Sequence, residues 1–83
     1  HAGRHETSLM LHLDAESVLM DMAEPGNIQP LPELMPQLVR SGVAQVSANG
    51  VLGDPTMAST IEGADTFESL VSSAVRQALT CVQ

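Results

Sequence analysis

His1, Arg4, His5, Glu6 and His12 fall within the first twelve residues, with Thr7 and Ser8 beside them. Imidazole is the side chain best suited to moving protons near neutral pH. A carboxylate close by can fix its tautomer and steady its charged form. On a helix, steps of four and seven residues put the three histidines within a narrow arc, and His-x-x-x-His is a spacing that zinc sites use. His12, however, lies two turns beyond His5, roughly 11 Å of rise, which is too far for one ion. "HAGRHE" also lacks the order His-Glu-x-x-His, so the chemistry of that zinc motif does not transfer. Two readings of His1 and Glu6 then stay open. One is a proton-handling pair at the start of a helix. The other is a solvated histidine beside a first-turn glutamate that serves only the helix dipole.

Other reactive side chains have less to recommend them. Thr7 and Ser8 have no base held beside them, and a helical Ser or Thr without one is a hydrogen-bonding or packing residue. Cys81 has no basic neighbour to lower its pKa. Gly53-Asp54-Pro55 reads as a turn. Asn49 and Gly50 are candidates for a pocket rim.

The elements that must hold these groups follow from periodicity and punctuation. His1–Leu13 reads as a helix begun through a turn at Gly3, with Leu9, Met10 and Leu13 as its apolar stripe. Asp14 and "AES" break it. "EPGNIQPLPELMP" carries four of the five prolines and predicts a long loop with a short helix over Pro32–Arg40, closed by Ser41-Gly42. "VAQVS" alternates apolar and polar residues, a short strand pattern. Ser59-x-x-Glu62 is a capping box. It opens a helix whose stripe is Phe67, Leu70, Val71, Ala74, Val75, Ala78 and Val82. Gly63 in its first turn costs about 1 kcal/mol relative to Ala. Met10, Met20, Met22 and Met35 read as core filler.

Composition limits the classes of function. The chain has 83 residues, a net charge of −7 and one aromatic, Phe67. So short a chain buries only roughly 60–65% of the surface it would expose unfolded. With Cys81 as its single cysteine, no internal disulfide can compensate. The chain therefore reads as part of a larger domain. Its only formal cations are Arg4, Arg40 and Arg76, too few to displace counterions from nucleic acid or to bind an anionic membrane. No apolar run is long enough to span a bilayer. A reducing, cytoplasmic setting fits these features.

"HAGRHETSLML" resembles the His-x-Gly-x-x-Glu-Thr-Ser-Leu-Met-Leu segment of the creatininase family of metal-dependent amidohydrolases. "NGVLGDPTMASTIEG" resembles the segment that leads into that family's last helix. "AEPGN", "PLPELMP" and "VSANGVLGDPT" are most similar to the family's peptidase branch, which removes a C-terminal dipeptide from a modified precursor peptide. The resemblance implies an α/β fold. Residues 1–83 would be the C-terminal segment of one three-layer α/β/α domain, with two main helices, a Pro-rich loop and a short strand, and its N-terminal metal-binding part absent.

The resemblance also implies roles. His1 corresponds to the active-site histidine that contacts substrate and shuttles the proton. Glu6 corresponds to a glutamate close to the metal centre. Arg4 becomes a candidate for binding the substrate's terminal carboxylate, a task that suits a guanidinium fork; a surface ion pair is the alternative. The cofactor would be divalent zinc, manganese or iron. The family's ligands come from Glu-x-His, Asp and Asn-Gly-His segments that this chain lacks, and Asp14, Asp21, Glu24 and Asp54 form no ligand-like cluster to replace them. The fragment alone is therefore expected to bind no metal and to be inactive. The intact protein is expected to act on a peptide or small amide and to form homo-oligomers. Met57 and Ala48 depart from the Gly and Pro expected at their positions. The other functions consistent with the sequence are hydrolysis of a small cyclic amide and a non-catalytic acidic interaction domain.

Overall fold

A computed structural model of the chain describes residues 1–81. It is built on three helices: α1, Arg4–Leu13; α2, Leu31–Ser41; and α3, Thr60–Cys81. Single 3₁₀ turns at Ala15–Ser17, Met20–Met22, Val43–Gln45 and Pro55–Met57 link them. Helix α1 starts after Gly3 and carries Glu6 in its first turn. Helix α2 has Pro32 near its start, where a missing N–H is cheap, and Pro36 inside. It stops at Gly42, whose φ of 80° and N–H to the Leu38 carbonyl close the last turn.

α1 and α3 are the principal packed pair, and small residues let them meet. Ser8 is 0% exposed, and its hydroxyl accepts the Ser59 N–H at 3.0 Å. Gly63 is buried opposite it, where any Cβ would overlap the Ser8 carbonyl oxygen. The helical cost of Gly63 is thus offset by a close approach that no other residue allows. The buried face of α1 is centred on Ser8, and the expected stripe of Leu9, Met10 and Leu13 is not buried, with Met10 and Leu13 exposed.

Three further expectations are corrected. "VAQVS" forms a 3₁₀ turn and no strand. The Val46 and Ser47 N–H groups both bond to the Val43 carbonyl, so local bonds consume the donors that a ladder would need. Extended pairing occurs elsewhere, as an isolated parallel bridge between Asn27 and Leu52. The α3 stripe is not a core face among the described residues: Phe67, Leu70, Val71 and Val75 are all exposed, Val75 at 53%. Beyond Phe67, which meets His12 near the end of α1, the reason is length. The 10 residues of α1 reach only about 15 Å, against about 33 Å for the 22 of α3. Val82 lies outside the described residues. Of the methionines, Met10, Met22 and Met35 are exposed, Met22 at 70%. Among the described residues Leu34, at 5%, is the one large apolar side chain that is buried.

Candidate active site

The site starts at His1, three residues before the first residue of α1. His1 precedes the helix, and its side chain is exposed. Its carbonyl accepts the Leu52 N–H at 2.8 Å. Leu52 is held in turn by its neighbours, since Asn27 N–H bonds to the Val51 carbonyl and Gly53 N–H to the Asn27 carbonyl. The loop around 51–53 therefore fixes where the His1 main chain sits. Gly3 lies against the same loop, and a Cβ there would come within 3.1 Å of the Leu52 oxygen.

Between His1 and Gly3, Ala2 adopts a φ of 54°, a left-handed conformation that costs an L-residue about 1–2 kcal/mol. Two contacts hold it there. The Glu6 carboxylate accepts the Ala2 N–H at 2.7 Å, and the Thr7 hydroxyl donates to the Ala2 carbonyl at 3.3 Å. Glu6 thus meets the chain next to His1 through the backbone of Ala2.

Arg4 and His5 turn toward α3. Arg4 Nε donates to Glu62 Oε2 at 2.8 Å, and His5 Nδ1 lies 3.3 Å from Glu62 Oε1. His12, farther along, tilts against Phe67 with ring centroids 5.4 Å apart. The three histidines therefore have separate surroundings, and His5 and His12 belong to the α1–α3 seam.

Glu62 is the residue that sequence reasoning missed in this role. The capping box predicts that its carboxylate reaches back to the Ser59 N–H. Half of the box forms, because Glu62 N–H donates to Ser59 Oγ at 3.1 Å. The other half is displaced by Ser8, which takes the Ser59 N–H and leaves the Glu62 carboxylate to Arg4 and His5.

Two small clefts adjoin the start of α1. One, about 260 Å³, is lined by Ala2, Glu6, Thr7, Met10 and Ser17–Leu19. The other, about 170 Å³, shares Ala2 and Thr7 and adds Met20, Val51 and Pro55. A larger cleft of about 490 Å³ lies between Glu24–Asn27 and Val46–Asn49, so Asn49 does line a pocket. Asp54 forms a tight turn: its carboxylate accepts both the hydroxyl and the N–H of Thr56. These bonds, the hydroxyl's first, hold its pKa below the ordinary 3.8. Among the described residues no three His, Cys, Asp or Glu side chains come together as a metal-binding group. No described helix is long and apolar enough to cross a membrane.

The creatininase family model, described as creatinine amidohydrolase, matches residues 1–78. The chain belongs to the creatininase family. Creatininase domains are α/β, and this chain contributes a mostly helical part. It is 52% identical over 75 residues to the mycofactocin precursor peptide peptidase of Mycobacterium ulcerans. It is 48% identical over 77 residues to the protein of that name from Mycobacterium tuberculosis, and 49% over 72 residues to that of Mycolicibacterium smegmatis. These alignments cover 90%, 93% and 87% of the creatininase-family chain. The chain spans about 30% of the length of these curated relatives. No solved structure matches it.

Proposed function

We propose that the chain is the C-terminal, proton-handling segment of a metal-dependent amide hydrolase, and that the whole protein is a peptidase acting on a precursor peptide. The observation that carries this is the His1–Glu6 segment, which keeps its imidazole exposed while its backbone is fixed at Ala2 and Leu52. About 50% identity to relatives named mycofactocin precursor peptide peptidase supports the substrate class.

In this reading His1 contacts the scissile amide and delivers a proton from its imidazole to the leaving nitrogen. Glu6 holds Ala2, and so orients the peptide unit that bears His1. Arg4 binds the terminal carboxylate of the substrate, the group that tells a chain end from an internal amide. The divalent metal of the family, zinc, manganese or iron, finds no ligand set among the described residues, so its ligands are assigned to the remaining part of the protein. That part would also complete a three-layer α/β/α domain. The intact protein is taken to be a cytoplasmic homo-oligomer.

A second reading is hydrolysis of a small cyclic amide, favoured by the family description creatinine amidohydrolase. One experiment separates them. The full-length protein is assayed against a peptide with a free C-terminus and against creatinine. Cleavage of the peptide with no turnover of creatinine supports the peptidase; the reverse supports the cyclic-amide reading.

A further inference from the structure

Helix α3 begins with an acidic side chain whose bonding does not follow its local motif. Glu62 would ordinarily cap its own helix, but Ser8 occupies that place, and the carboxylate is committed to the first turn of α1. It is also well anchored. Its N–H is bonded to Ser59 Oγ, its neighbour Gly63 is buried against Ser8, and its own side chain is only 24% exposed. Arg4, by contrast, is 54% exposed and is held through Nε.

The atom that is held matters. A guanidinium has five N–H donors in a planar fork. A bond to Nε fixes the plane of the group and leaves the paired terminal nitrogens free to take a carboxylate through two parallel bonds. Pre-orienting that plane also removes part of the rotamer entropy that Arg4 would lose on binding.

We propose that Glu62 is a positioning residue: it sets the plane of the Arg4 guanidinium so that its outer edge receives the terminal carboxylate of a peptide substrate. This rests on the reading of Arg4 given above, and the test is arranged so that the two can fail separately.

The full-length enzyme is assayed on two peptides that differ only in a free or an amidated C-terminus, and the ratio of their kcat/KM values is measured. Arg4→Ala is expected to lower the free-acid preference by roughly tenfold or more. Glu62→Ala is expected to lower it by a similar factor while changing kcat/KM for the amidated peptide by less than about twofold. Combining the two should add nothing, because both act on one contact. Glu62→Gln, which keeps an oxygen for Arg4 Nε and nearly the same volume, should lose only part of the preference. It serves as the informative variant if Glu62→Ala does not fold.

An enzyme that loses both peptides equally on Glu62→Ala, or additive losses in the double variant, overturns the proposal. If Arg4→Ala keeps the preference, the Arg4 reading falls, and this proposal with it. If Arg4→Ala loses it while Glu62→Ala and Glu62→Gln retain it, only the role of Glu62 is wrong.

Discussion

Glu6 accepts the main-chain N–H of Ala2 at 2.7 Å, and Ala2 is the residue that turns through a left-handed φ of 54° directly after His1. A helical carboxylate is thereby joined to the peptide unit beside the imidazole. A hydrogen bond to a charged group contributes about 1.5–3 kcal/mol, less where solvent screens it, as here. Even the low end is comparable with the cost of a left-handed alanine. The prediction is a difference between two variants of the full-length enzyme. Glu6→Gln keeps an amide oxygen for Ala2 and should retain most of kcat. Glu6→Ala should lose roughly tenfold. Equal losses in steady-state kinetics would mean that the charge acts, and not the held backbone.

The α1–α3 seam makes a prediction about stability. Ser8→Ala removes the acceptor of a part-buried N–H, that of Ser59, and should cost about 1–3 kcal/mol. Gly63→Ala pushes a methyl into the Ser8 carbonyl and should cost about 1–3 kcal/mol or more. Urea unfolding of the full-length protein reads both. A neutral Gly63→Ala would mean that the helices pack farther apart than described.

Asp54 supplies a pH dependence. Its pKa lies below the ordinary 3.8 because the Thr56 hydroxyl and N–H both donate to the charged form. A depressed pKa stabilises the fold above the unfolded value, and that contribution is lost as pH falls through the folded value. The turn should therefore loosen only in acid, below the ordinary carboxylate range. Thr56→Val removes the larger cause and should raise the Asp54 pKa toward 3.8. An NMR titration of the Asp54 carboxyl shows it, and an unchanged midpoint would refute the assigned cause.

The exposure of Leu70, Val71, Val75 and Leu79 along α3 bears on what these 83 residues can do unaided. Full burial of such a side chain is worth roughly 1.5–3 kcal/mol, and each of these, about half exposed, forgoes part of it. The isolated chain should give a broad, non-cooperative thermal melt by circular dichroism. A sharp transition would instead favour a self-sufficient acidic interaction domain.

The helices were legible in the sequence wherever a local signal sufficed. Gly3 and Glu6 mark the start of α1, Pro32 and Gly42 bracket α2, and Ser59 caps α3. The departures have different causes, one local and one distant. Alternation in "VAQVS" suits a strand, but no strand partner is described there, and the Val43 carbonyl takes the free N–H groups. The capping box was half right because Ser8, 51 residues away from Ser59, outcompetes Glu62 for one amide. The motif singles out His1 and Glu6 as candidates, whereas nothing in it marks the left-handed Ala2 between them, since alanine carries no signal for positive φ.

In the proposed mechanism the His1 imidazole delivers a proton to the departing amine. The measurement is kcat on a peptide substrate for His1→Ala in the full-length protein, with the fold checked by circular dichroism. The expected result is a loss of about 10²–10⁴-fold, with the folded state intact. A folded variant that turns over within about threefold of the parent would contradict it.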